Sequence, residues 1–187
     1  MKILDITYVA LLAAFMGVLG FVPPIMLSFT PVPITLQTLG VLLAGGVLGP
    51  RLGAWSMTVF LLVVAAGAPL LSGGRGGIGV FVGPSAGYLF SYPLAALLVG
   101  YLIHRFSKFR LRNILLVNLT VGIFFLYLIG IPVQSFIMEI SIIETIKLSL
   151  VYLPGDILKA TLASYIVYRL VKSPVIKRTI QKNAETL

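Results

Sequence analysis

The stretch Ile114–Ile131, ILLVNLTVGIFFLYLIGI, contains no charged residue, and its polar side chains are confined to Asn118, Thr120 and Tyr127. A helix rises 1.5 Å per residue, so about 20 such residues cross the hydrocarbon of a bilayer. Five further runs are predominantly apolar: Ile3–Val22, closed by Pro23-Pro24; Thr35–Gly49; Leu52–Gly67; Pro84–Ile103; and about Leu153 to Val171. The sequence therefore predicts an all-α membrane protein with six transmembrane helices, forming a single integral membrane domain over residues 1–187. The second and third runs are short, so their ends are the least defined.

Composition agrees. Hydrophobic residues make up 59% of the 187 and charged residues 10%, against about 45–50% and about 25% in soluble domains. A water-exposed surface cannot be built from that mixture, which excludes cytosolic enzymes, disordered chains and small secreted modules. The chain has no cysteine, hence no disulfide framework, thiolate metal site or cysteine nucleophile. The net charge of +9 reads as topology. With both termini cytoplasmic, six crossings put Lys2, Arg51, Arg105, Lys108, Arg110, Arg112, Arg169, Lys172, Lys177, Arg178 and Lys182 inside, 11 of 14 basic residues, as cytoplasmic loops require. Five or seven crossings would place a basic cluster outside. Segment 104–112 and the basic tail 172–187 then lie against the bilayer's anionic headgroups, and nucleic acid is not expected as a partner. The first run lacks a small-residue cleavage site and reads as a retained span.

Three segments, all on the predicted outer side, depart from plain span chemistry. Pro23–Pro33 holds four prolines, cannot be helical throughout, and is apolar enough to pack at the membrane edge or over a cavity. Pro69–Pro84 holds six of the 19 glycines, which allow positive φ and close backbone approach. It lacks a Walker pattern and a preceding strand, so it is not a nucleotide loop. Non-helical backbone at membrane depth lines a cavity or is buried in protein, so a re-entrant or lid-like loop with Arg75 facing inward is expected, the alternative being a solvated arginine on a floppy loop. In LPGDILK, Leu153–Lys159, a charge at a span centre costs about 2.5–3.5 kcal/mol. The three-residue spacing puts Asp156 and Lys159 on one face, just past a Pro154-Gly155 break. Two readings follow: an ion pair that locks helices, or groups held for a ligand. The second is preferred, because apolar side chains would fill the space without desolvating charge.

Weaker signals surround these. Gln37 and Thr35 stand at the mouth of the second span, and Tyr88 and Tyr92 begin the fourth. Asn118 is expected to bond a neighbouring helix, and His104 to snorkel. MEISIIETIKLSL reads as an interfacial helix with Glu144 and Lys147 solvated. Ala10 and Ala14 have small-xxx-small spacing, which allows another helix to approach closely, and Ala13 would widen that stripe. No nucleophile, metal-spaced carboxylates, H-E-x-x-H or G-x-S-x-G occurs, so an enzyme is not expected. What remains is an outer cavity with one carboxylate, cations, amides and tyrosines, suited to a small amphipathic ligand bearing its own carboxylate and hydrogen-bond donors. Without an ATP-hydrolysing motif, active uptake would need an energising partner.

Three blocks, PVPITLQTLGVLLAGGVLG (Pro31–Gly49), GGRGGIGVFVGPSAGYL (Gly73–Leu89) and LPGDILKA (Leu153–Ala160), resemble the signature blocks of the BioY family, the biotin-specific S-components of energy-coupling factor (ECF) transporters. The GPSAGY segment departs mildly from the commoner Gly-Pro-Thr-Gly-Gly-Tyr form. The resemblance implies an S-component-like bundle in a prokaryotic cell membrane, a high-affinity biotin-binding subunit of an ATP-driven vitamin uptake transporter. It would capture biotin on the outer side, then topple to deliver it through a transmembrane coupling subunit and two cytoplasmic ATPases. Biotin would be cargo, with no cofactor and no metal. The resemblance places ligand-binding roles on Asp156 and Lys159 and docking roles on Ala10 and Ala14. With it, Asp156 would accept a ureido N–H; Lys159 or Arg75 would meet the valerate carboxylate; and Gln37 and Tyr88 would supply further polar contacts or ring stacking. An S-component for another vitamin, and a carrier that works alone, remain as alternatives.

Overall fold

The computed structural model describes residues 2–173; Lys177, Arg178, Lys182 and nearly all of the predicted tail 172–187 lie outside the described residues. Helix α1 (Ile3–Gly20) leads into a hairpin of β1 (Ile25–Leu27) and β2 (Thr30–Ile34), followed by α2 (Gln37–Ala65) and α3 (Ala86–Arg105). Next come α4 (Leu111–Val117), a π-helical segment Asn118–Gly122, α5 (Ile123–Met138), α6 (Ile142–Leu150) and α7 (Leu153–Val171). Ile3–Gly20, Gln37–Ala65, Ala86–Arg105 and Leu111–Met138 are long and apolar enough to cross a membrane, and α6 with α7 forms a fifth such unit bent by 56°.

The predicted second and third runs are one helix by hydrogen bonding, but not by shape. Gly49 has φ 80°, ψ −176°, a conformation natural only to glycine, and Pro50 follows it. A Cβ on Gly53 would lie 2.9 Å from the Gly45 Cα, although eight residues of straight helix would separate them by about 12 Å. The arm after Gly49 therefore folds back along the arm before it. Helix α3 lies in the same crease. A Cβ on Gly100 would fall 2.6 Å from the Gly49 carbonyl carbon, and one on Gly45 would fall 3.1 Å from the Ala96 Cα. Small residues let backbones meet directly, which is how helices associate where no hydrophobic effect drives them together. His104, expected to snorkel, bonds the Gly46 carbonyl through Nε2 at 3.0 Å and so ties α3 to this crease.

The proline-rich segment is a small hairpin rather than an irregular loop, with Ile25 opposite Ile34 and Leu27 opposite Thr30. Between these two pairs the register shifts, so Pro31 and Pro33 fall in the irregular part of β2, where a proline is tolerated. Helix α6 also differs from the expected interfacial helix. Its hydroxyl residues Thr145 and Ser149 are buried, while Ile142, Ile143, Ile146 and Leu150 are exposed. Most of the apolar side chains thus look outward, alongside the two charges, and the two hydroxyls look into the bundle. Glu144 and Lys147 are exposed as expected, but Glu144 bonds the Ser141 hydroxyl at 2.9 Å in a capping box rather than pairing with Lys147.

The crease makes a testable demand. Gly53→Leu overpacks a backbone contact that cannot yield, at a cost of about 1–3 kcal/mol; thermal unfolding in detergent should begin about 5–10 °C lower. Gly79, with nothing near its Cβ position, should accept leucine with little change in the same melt.

Candidate functional site

The starts of α2, α3 and α7 meet the hairpin and the glycine-rich loop at one end of the bundle, and an open-mouthed cavity lies between them. Val32, Pro33 and Ile34 of the hairpin form one side; Leu71, Arg75 and Val80 of the loop form another. Gln37 and Thr38 enter from α2, Tyr88 and Tyr92 from α3, and Tyr152, Asp156 and Lys159 from the α6–α7 bend and α7.

Asp156 and Lys159 are only 6% and 7% exposed, and Lys159 Nζ donates to Asp156 Oδ1 at 2.6 Å. The two alternatives drawn from the sequence are thus not exclusive. The charges pair with each other, contrary to the preferred expectation, and both still line the cavity. Other elements add further bonds, which leave Asp156 about one of its roughly four acceptor positions. Tyr127 of α5 donates its hydroxyl to Asp156 Oδ2 at 2.6 Å, Thr38 of α2 donates to Oδ1 at 3.3 Å, and Lys159 donates to the Thr35 carbonyl at 2.9 Å. Pro154 sits in the first turn of α7, where its missing N–H costs nothing. The chain therefore restarts as a helix with Asp156 still in that turn, where the helix dipole favours an anion.

Arg75 borders the cavity but remains exposed, and its loop is more ordered than its glycines imply. Leu71 and Arg75 exchange backbone hydrogen bonds at 3.0 and 3.2 Å. Gly73, Gly74 and Gly77 take φ of 81°, 69° and 83°, and the Gly77 amide reaches back to the Val64 carbonyl at 2.8 Å. Arg75 Nε donates to the Ser72 carbonyl at 3.2 Å. Among the described residues the pair Asp156–Lys159 is the one salt bridge, so no carboxylate neutralises Arg75. The buried Gln37 donates through Nε2 to the Leu70 carbonyl at 3.1 Å, anchoring the loop to α2.

Tyr88 donates its hydroxyl to Gln134 Oε1 and lies within bonding distance of Ser149 Oγ, both at 3.1 Å. Its polar tip is therefore engaged away from the cavity, and its ring is what remains to meet a ligand. The ring rests on Gly130, where a Cβ would fall 2.6 Å from the Tyr88 Cζ, and meets Tyr127 edge-on at 6.1 Å. Tyr127, Thr38, Tyr152, Ser149 and Gln134 were not singled out from the sequence. Tyr127 lies inside the most uniform apolar run, and a lone tyrosine there is indistinguishable from a packing residue; Gln134, just past that run's end, was a legible signal.

Elsewhere, Asn118 bonds a neighbouring helix as anticipated, donating to Ser164 Oγ at 2.8 Å. Ala10 and Ala14 are exposed on the outward face of α1. Ala13 does not extend their stripe: it is buried in the core between α1, α2 and α3.

Comparison with known proteins fits this geometry. Residues 1–174 match the BioY family. The chain is 48% identical to a probable biotin transporter BioY of Bacillus subtilis (strain 168) over 180 residues, covering 96% of this chain and 97% of that one. It is 38% identical to the biotin transporter BioY of Lactococcus lactis subsp. cremoris (strain MG1363), covering 91% and 92%. A crystal structure of the S-component for biotin from an ECF-type ABC transporter superposes with a TM-score of 0.88 at 37% identity, covering 92% of this chain and 93% of that one. By sequence along nearly its whole length, and by the fold that frames the cavity, this chain belongs to the BioY family.

Proposed function

We propose that this chain is the biotin-capturing S-component of an ATP-driven uptake transporter. The observation that carries the reading is a buried, paired acid and amine in the same cavity as an arginine that, among the described residues, no carboxylate neutralises. Biotin is complementary to that arrangement at both ends. Its ureido N–H groups suit the Asp156 carboxylate, in a charge-assisted bond strengthened where water is excluded. Its valerate carboxylate suits Arg75, because Lys159 is already engaged by Asp156 and the Thr35 carbonyl. The Tyr88 ring and the apolar side chains of the hairpin suit its sulfur ring.

Counting the two arms of α2 separately gives six crossings, with both termini cytoplasmic and the cavity outside. That orientation puts Arg51, Arg105, Lys108, Arg110, Arg112, Arg169 and Lys172 on the cytoplasmic side. Ala10 and Ala14 offer a smooth, exposed strip of α1 to a transmembrane coupling subunit, and two ATPases acting on that subunit supply the energy. Isothermal titration against a vitamin panel tests the reading: tight binding of biotin alone supports it, and preference for another vitamin refutes it. Uptake into vesicles with and without the coupling subunit and ATPases separates an S-component from a carrier that works alone.

Three variants test the parts. Asp156→Asn removes the charge from a bond worth about 1.5–3 kcal/mol, so biotin affinity should fall about 10- to 100-fold in titration. Arg75→Met should weaken biotin by a similar factor yet leave biotin methyl ester, which has no carboxylate to lose, within about twofold of the wild type. Ala10→Trp should abolish co-purification with the coupling subunit while biotin binding persists; loss of both would indicate misfolding.

A further inference from the structure

Gln134 is wholly buried near the end of α5 and does not border the cavity. A buried primary amide in a span is costly unless its partners repay the desolvation. Its oxygen accepts the Tyr88 hydroxyl at 3.1 Å, while its nitrogen lies 3.5 Å from the Met138 sulfur, a weak acceptor. It also lies beside the Tyr152 hydroxyl, which bonds Thr30 of the hairpin. Ser149 closes the group from α6. One buried amide thus stands behind two tyrosines whose rings form cavity wall. Leucine would fill its space more cheaply if packing were the only need, and phenylalanine at position 88 would need no acceptor at all. The polar group is intelligible if the angle of the rings matters.

We propose that Gln134 is a positioning residue for ligand selectivity: it fixes the ring of Tyr88, and with it the neighbouring Tyr152, against the sulfur-bearing side of the ligand. The proposal rests on the biotin reading above for its ligand, but not for its geometry. Selectivity then depends on α5 and α6, elements that contribute no cavity-lining residue.

The test uses the full chain in detergent with Gln134→Met, Tyr88→Phe and the double variant. With 3-fluorotyrosine placed at position 88, the fluorine spectrum should show one resonance in the parent, shifted or split by Gln134→Met; an unchanged resonance overturns the proposal whatever the ligand proves to be. Titration then compares biotin with desthiobiotin, which keeps the ureido ring and the carboxylate but lacks sulfur. Each single variant should weaken biotin about five- to twentyfold, and the double variant should be no worse than the weaker single, because both delete one link. The biotin-to-desthiobiotin ratio should shift with them, which a general loss of stability would not cause. Multiplicative losses, an unaltered ratio, or a Gln134→Met variant that binds like the parent would overturn the proposal. If Gln134→Met does not fold, Ser149→Ala removes the second partner of Tyr88 and should move the resonance and the ratio in the same direction; no movement overturns it. A parent that binds no biotin refutes the proposed function instead, and the fluorine resonance still decides the role of Gln134.

Discussion

Two opposite charges buried together at the start of α7 organise the cavity end of this molecule. Desolvating an acid and an amine costs several kcal/mol each, repaid only when geometry and further hydrogen bonds are good. Here the repayment comes from several directions: the Thr35 carbonyl between β2 and α2, Thr38 from α2, Tyr127 from α5, and the pair itself on α7. The arrangement fixes the mutual positions of those elements at the cavity. It also leaves the pair electrically neutral, so that the excess positive charge in the cavity belongs to Arg75. A ligand with hydrogen-bond donors at one end and a carboxylate at the other matches that polarity; a purely cationic one does not.

The opposite end of the bundle is held together in a different manner. Gly45, Gly49, Gly53 and Gly100 bring three helical segments into backbone contact, and His104 closes the same region by its bond to Gly46. Direct backbone packing leaves little freedom to slide. Gly87 and Gly130 repeat the device nearer the cavity, where a Cβ on Gly87 would fall 2.7 Å from the Ile129 carbonyl oxygen and the Tyr88 ring settles over Gly130.

Much of this was legible in the sequence because hydrocarbon imposes blunt rules. The predicted last span, from about Leu153 to Val171, coincides with α7, since Pro154, Asp156 and Arg169 mark its ends. Asp156, Lys159 and Arg75 stood out because charge in an apolar run is expensive, and the structure gathers them at one cavity. The hairpin was hidden: four prolines argue against a helix but do not reveal a two-stranded ladder with a shifted register. The folded-back α2 was read as separate runs, which its shape supports, though no period or charge announces that Gly49 alone makes the turn. Tyr127 was invisible for the opposite reason, being one more aromatic in a run of them. The ion pair was misjudged as a choice between locking helices and facing a ligand, because one-dimensional spacing cannot show that both are satisfied at once.

The central claim is that the buried carboxylate of Asp156 faces the vitamin, with Lys159 holding it in place. A crystal structure of the complex with biotin tests this most directly. The account predicts a ureido nitrogen within hydrogen-bonding distance of Asp156 and the valerate extending toward Arg75. Biotin seated elsewhere, with the Asp156–Lys159 pair undisturbed and out of contact, would contradict it.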